Sequence, residues 1–386
     1  MTPTVTAMIA DQARRQPSAP AIHYNDSVIS YADLELAGKR AARGLADLGV
    51  GPGDRVALWL PTTPAFLFIY LGLARLGAIA VSVNTRFRGA DVGDIIGRSG
   101  AKVLVLWPDF RGIDFLGILE DVDPAALDRL ETVLLYTEGA NEVQDPALLS
   151  DHIKRVAFTD LMKSGPSDQD NAQLGLGSNI FTTSGTTKAP KFVLHSQSSM
   201  VTHGLQIAED FGLAVAPGPV LVPLPLCGVF GFTPSMAALA GGCPLVLMSS
   251  FEADRAVELV RRLGVVHANL SDTMILAMLD AADGEVALPS MRFVGYGQFD
   301  PNLDNVVERG DARGLSMIAL YGMSEVQALF SRRGETEARR GVGGGRPISP
   351  DGFARVRDPK SGELLGPGET GELEVSGPSR MTEYYD

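Results

Sequence analysis

Cysteine is nearly missing from this chain: Cys227 and Cys243 are the only two in 386 residues, with no Cys-x-x-Cys and no histidine near them at ligand spacing. That excludes a disulfide scaffold and a zinc site, and it suits a reducing compartment in which both thiols are plain core residues. Basic runs with interleaved aromatics are absent too, and the net charge is −13. Such a surface repels polyphosphate backbones, so a nucleic-acid partner is not expected. The first twenty residues show no basic segment followed by an apolar block, so no secretory signal is read there. The longest apolar run, 66–83, carries Arg75 and falls short of the roughly 20 uncharged residues of a membrane span. It predicts a buried helix feeding a buried strand, and with the other absences a cytoplasmic protein.

What is there is a globular composition, 45% hydrophobic and only 20% charged, in a chain too long for a single core. Near-continuous apolar blocks at 55–60, 78–83, 101–107 and 132–137 alternate with amphipathic helical stretches such as 31–49. That rhythm predicts a parallel sheet covered on both faces. It loosens over 138–178 into polar connecting sequence and resumes from 180 to about 330. Beyond 331 the helical period gives way to short strands spaced by glycine and proline. The expected architecture is therefore α/β: a first subdomain over 1–178, a second over 179–330, and a small antiparallel, barrel-like β subdomain over 331–386.

The densest chemistry lies in "FTTSGTTKAPKFVLHSQ", 181–197. Thr183, Ser184, Thr186 and Thr187 offer hydroxyls, Gly185 allows close backbone approach, and Lys188 and Lys191 add positive charge. The set suits an anion. It is not a Walker loop, because the residues after Ala189 are Pro190, Lys191 and Phe192 rather than Gly-Lys-Ser/Thr. A second cluster, "YGMSE" at 321–325, sets an aromatic and a carboxylate at the end of a strand, where open α/β sheets hold ligands. Other chemistries fail on residues: 322–326 breaks the Gly-x-Ser-x-Gly elbow at Val326, and His-Glu-x-x-His does not occur. The glycines of "VGYGQFD", 294–300, lack the last glycine of a dinucleotide fingerprint.

"TSGTTKAPK" resembles the phosphate loop of the AMP-forming adenylate synthetases, Thr-Ser-Gly-Thr-Thr-Gly-x-Pro-Lys-Gly, with Lys188 and Phe192 in place of two glycines. "YGMSE" resembles that family's Tyr-Gly-x-Thr-Glu. "GELEVSGPSRMTEYY", 371–385, and the Gly-Asp-Arg-Val segment near residue 53 are also similar, so the resemblance spans nearly the whole chain. It implies the large N-terminal domain of an acyl- or aryl-CoA ligase that uses ATP, Mg²⁺ and coenzyme A on a carboxylic acid.

By the same resemblance, Thr183, Ser184, Gly185, Thr186, Thr187 and Lys191 hold the β- and γ-phosphates, with Thr186, Lys191 and Glu325 as catalytic residues. Gly295, Gly297 and Gln298 pass the adenine, Tyr321 and Gly322 flank it with Tyr321 stacking, Ser324 binds the α-phosphate, and Glu325 holds Mg²⁺. Cys227, Gly228, Phe230, Gly297 and Met323 line the acid pocket. Gly228 stands where many relatives have His, which predicts extra room. The stretch 230–236 lacks the Asp that reads an α-ammonium in amino-acid-activating relatives, so a fatty or aryl acid is expected. His195 reads as packed rather than catalytic. The family's ribose-binding segment, hinge and lysine-bearing C-terminal lid are not in the sequence, so weak nucleotide binding and poor turnover are expected of this chain. The rival reading is a non-catalytic nucleotide- or acyl-binding scaffold on the same fold.

Overall fold

The computed structural model describes residues 2–138, 153–183, 190–303, 305–331 and 343–385. Two large sheets dominate. The first runs in spatial order Glu383–Tyr384, Phe192–Ser196, Gly177–Thr182, Ile79–Ser82, Arg55–Trp59, Val103–Leu106, Thr132–Leu135 and Lys154–Ala157. Its four strands from Ile79–Ser82 to Thr132–Leu135 are parallel, as the apolar blocks predict; Lys154–Ala157, in sequence read as polar connection, extends them in parallel, and Gly177–Thr182 joins in parallel at the other side. Phe192–Ser196 then turns back antiparallel, and Glu383–Tyr384 adds to its outer edge.

The second sheet runs Arg346–Pro347, Gln327–Ser331, Met317–Met323, Phe293–Gly297, His267–Ser271, Val220–Val222, Leu245–Leu247, Pro20–Tyr24 and Ser27–Ser30. From Met317–Met323 to Pro20–Tyr24 every pairing is parallel, and both edges are antiparallel. Sheet membership therefore crosses the boundaries expected at 178 and 330. An N-terminal hairpin closes the second sheet, and a C-terminal strand closes the first. Crossover connections free spatial order from chain order, which a linear division of the sequence cannot follow.

The two sheets enclose one apolar core, and each has a second core on its outer face. At the centre lies helix Pro64–Leu76, buried at every position but Phe68. It ends at Gly77 in the left-handed conformation, φ 73°, which opens the turn into the strand Ile79–Ser82. Arg75, the one charge in that run, is buried and paired with Asp170 at 3.5 Å. Helix Tyr31–Asp47 packs on it, started by a capping box in which Asp33 N–H donates to Ser30 Oγ and Ser30 N–H to Asp33 Oδ2. Gly72 sits at that contact, where an added Cβ would come 2.9 Å from the Ala41 Cβ.

Residues 353–376 form a two-stranded antiparallel ribbon, Phe353–Arg357 with Glu372–Ser376. It is a ribbon and not a barrel: among the described residues no further strand closes it. Cys227 and Cys243 are both buried, and burial pushes the Cys227 thiol up to about 12. No helix among the described residues is long and apolar enough to cross a membrane.

Candidate active site

A cleft of about 490 Å³ opens at the carboxyl ends of Phe293–Gly297 and Met317–Met323. Its wall includes Thr183, just past the end of Gly177–Thr182 in the first sheet, Gly297 and Gln298 from the end of one strand, and Tyr321, Gly322, Met323, Ser324 and Glu325 from the end of the next. Val229, Phe230, Phe299 and Leu320 make an apolar end. Among the described residues of the lining, Glu325 alone is charged.

Most of the residues singled out in the sequence thus meet in one place. Lys191 stands just outside it and is exposed. Its N–H donates to Thr183 Oγ1 at 3.3 Å, and its carbonyl accepts from Thr183 N–H at 3.0 Å, so the pair closes both ends of the hydroxyl-rich loop. Ser184, Gly185, Thr186, Thr187 and Lys188 lie outside the described residues. Gly295 is buried beneath the cleft rather than in its wall, with Asn269 Oδ1 only 2.2 Å from where a Cβ would stand.

Cys227 and Gly228 do not line this cleft. Gly228 caps the N-terminus of helix Val229–Ala240 with extended backbone, and a Cβ there would meet only the Pro225 carbonyl at 3.9 Å. The tight approach belongs to Gly231, whose Cβ would come 2.4 Å from that oxygen. The wall at Phe230 is set differently. Pro234 lacks the N–H that would bond the Phe230 carbonyl within the helix. Asn269 Nδ2 supplies the donor instead, at 3.3 Å, while its Oδ1 accepts from His267 Nε2 at 3.2 Å. Across the cleft Phe230 faces the Phe299 ring, centroids 5.7 Å apart. A Cβ on Gly297 would come 2.9 Å from Phe299 and 3.2 Å from Phe230, so the small residue leaves room for both rings.

Four residues that support the cleft were not singled out for that role. Asp272 is fully buried at the start of helix Asp272–Ala281, and its Oδ2 accepts the N–H groups of Phe299 and Asp300, each at 2.7 Å. An acidic residue in a first helical turn reads as a dipole partner, which hides the long-range task. Asn269 is concealed inside an apolar strand. Gln327 has left-handed backbone, φ 60°, and its Nε2 donates to the Ser379 carbonyl at 3.3 Å. Tyr384 Oη donates to Glu325 Oε1 at 2.8 Å. Its Tyr-Tyr motif was visible, but nothing local names its partner.

His195 is packed, as its apolar neighbours suggest, yet it also reaches the site. Its Nε2 lies 2.7 Å from the Ser324 carbonyl and acts as donor there, leaving Nδ1 to accept from Gln327 Nε2 at 3.4 Å, while the Ser199 hydroxyl beside it donates to the Ser196 carbonyl. Burial draws its pKa down to about 4, against a smaller opposite pull from the Ser324 carbonyl and the Glu325 charge. The ring is neutral at pH 7.

Residues 9–385 match the family described as AMP-binding enzyme. Among curated proteins the chain is 27% identical over 393 residues to triostin synthetase I of Streptomyces triostinicus, covering 98% of this chain and 68% of that protein. It is also 27% identical to 2-hydroxy-7-methoxy-5-methyl-1-naphthoate–CoA ligase of Streptomyces carzinostaticus, with the same coverage. Among solved structures, o-succinylbenzoate coenzyme A synthetase of Bacillus subtilis in complex with ATP and magnesium ion superposes with a TM-score of 0.80 at 21% identity, covering 98% of this chain and 72% of that one. The N-terminal domain of FACL13 from Mycobacterium tuberculosis, inhibitor-bound, gives 0.79 at 22% identity and covers 100% and 92%. At these identities the structural likeness speaks for the fold.

Proposed function

Because the chain belongs to the AMP-binding enzyme family, we propose that its cleft joins a carboxylic acid to ATP and then passes the acyl group to coenzyme A. The observation that carries this reading is the single cleft in which Thr183, Gly297, Gln298, Tyr321, Ser324 and Glu325 meet a separate apolar end. In the first step a carboxylate oxygen attacks the α-phosphorus and pyrophosphate leaves. In the second the thiol sulfur attacks the acyl carbon and AMP leaves. A carboxylate cannot expel oxide, so the adenylate supplies the leaving group.

Tyr321 would stack on the adenine, with Gly322, Gly297 and Gln298 at its edges. Ser324 would donate to the α-phosphate, while Thr183 and Lys191, with the loop they close, would hold the outer phosphates. Positioning and charge neutralisation are the main catalytic needs of such a transfer. Magnesium fits through one protein ligand: among the described residues no group of three or more His, Cys, Asp or Glu could hold a metal, whereas Glu325 presents a hard oxygen in the cleft. That suits a cation carried mainly by phosphate oxygens, and when bound it neutralises developing charge there.

The acid would occupy the apolar end formed by Val229, Phe230, Phe299, Leu320 and Met323, none of which is charged. A fatty or aryl acid without an ammonium group suits it. ATP–pyrophosphate exchange with a panel of such acids tests the reading, with Glu325→Ala as control. Acid-dependent exchange that the variant lacks supports a ligase. Binding of Mg-ATP with no exchange for any acid would instead favour the non-catalytic binding protein.

A further inference from the structure

Glu325 is held from the far end of the chain. Its carbonyl accepts the Met381 N–H at 2.7 Å, and its carboxylate accepts the Tyr384 hydroxyl at 2.8 Å. Tyr384 is itself fixed by strand pairing: Glu383 lies opposite Leu194 and Tyr384 opposite Val193. The flanking bonds from Thr382 N–H to the Leu194 carbonyl and from Tyr385 N–H to the Phe192 carbonyl measure 2.7 and 2.8 Å. On the ring face of Tyr384 sits the Lys191 ammonium, 4.8 Å from the centroid. One side chain therefore touches both the cation that ends the hydroxyl-rich loop and the carboxylate that lines the cleft.

We propose that Tyr384 is a positioning residue that holds the Glu325 carboxylate ready for a nucleotide-borne divalent cation and links it to Lys191. The proposal rests on the adenylate-forming reading above. Glutamate has three side-chain torsions, and fixing them when a cation arrives costs conformational entropy. A donor mounted on a paired strand removes much of that freedom beforehand. It occupies one carboxylate oxygen and leaves the second for the cation. Outer hydrogen-bond partners of metal-binding carboxylates act in this way, and their loss typically weakens metal affinity about 10- to 100-fold. The Lys191 contact keeps the ring over the same spot, so the loop and the carboxylate share one anchor.

Tyr384→Phe isolates the hydroxyl, because the ring, its strand pairing and the Lys191 contact remain. Calorimetric titration would compare ATP with Mg²⁺, ATP with EDTA, and AMP with EDTA, for the unmodified chain, Tyr384→Phe and Glu325→Ala. The expected result is that Tyr384→Phe loses about 10-fold or more of the Mg²⁺-dependent gain in ATP affinity while metal-free AMP binding is unchanged. A general packing defect would lower all three, and that outcome overturns the proposal. Mg-ATP affinity equal to that of the unmodified chain, or higher, also overturns it, the latter by showing that Tyr384 competes with the cation. If Glu325→Ala retains the full Mg²⁺ effect, the role given to Glu325 fails, and the proposal fails with it for that separate reason.

Discussion

Replacing His195 by glutamine should alter how stability depends on pH. The His195 ring is fully buried in strand Phe192–Ser196, edge-on to Phe181 with centroids 5.8 Å apart. Burial lowers its pKa from 6.5 to about 4. Between those values the unfolded chain binds up to one proton more than the folded one, so stability rises with pH across the window and levels off above 6.5. Each pH unit is worth about 1.4 kcal/mol, and the whole window about 3 kcal/mol. The glutamine of the His195→Gln variant does not titrate, and its amide retains a donor for the Ser324 carbonyl. Equilibrium urea unfolding of both proteins from about pH 7.5 to about pH 4.5 measures the difference. The variant should be the less stable at the upper end through imperfect packing, and the gap should narrow on acidification by about 1.4 kcal/mol per unit below about pH 6.5. Titrations of other histidines and of carboxylates occur in both proteins and cancel. A gap constant with pH would refute the reasoning, since it would mean that His195 takes up its proton in the folded state.

Asp272→Ala strips two partly buried N–H groups, those of Phe299 and Asp300, of their acceptor. Urea unfolding should register a loss of about 2 to 4 kcal/mol, as hydrogen bonds to charged groups contribute about 1.5 to 3 each and are not additive. Gly297→Ala should leave stability within about 0.5 kcal/mol, because Phe299 is 66% exposed and free to swing away from the new methyl group. The same variant should weaken binding of the acid several-fold, because its methyl group enters the space between Phe230 and Phe299, which competition titration would measure.

Most of the parallel strands were legible because they are buried on both faces, which turns a strand into a short apolar block with turn residues on either side; Lys154–Ala157, a half-buried edge strand, was not. The cleft's polar end was legible because Tyr321, Ser324 and Glu325 lie within five residues at one strand end, so a linear motif is also a spatial one. Sheet membership was not. Pro20–Tyr24 looks like any other apolar strand, and only its pairing with Leu245–Leu247, more than two hundred residues away, assigns it to the second sheet. Two of the five residues expected at the acid end, Cys227 and Gly228, stand outside the cleft for a similar reason. Cys227 and Gly228 stand in the suggestive segment, but the helix begins at Val229 and turns Phe230 toward the cleft, where Asn269 meets the carbonyl that Pro234 frees.

What ties the site together is mostly backbone, and backbone has no residue type to recognise. His195 donates to the Ser324 carbonyl, Met381 to the Glu325 carbonyl, and Ser379 Oγ to the Val326 carbonyl. Three successive carbonyls after the strand Met317–Met323 are thus each claimed by a donor far away in the chain. Those donors belong to the hairpin of the first sheet and to the segment that extends it, while the carbonyls belong to the second sheet. The backbone at 324–326 is consequently pinned to both sheets. That rigidity suits a reaction whose main requirement is positioning. It also explains why a buried neutral histidine, with no atom in the cleft wall, stands beside the residues that would carry the chemistry.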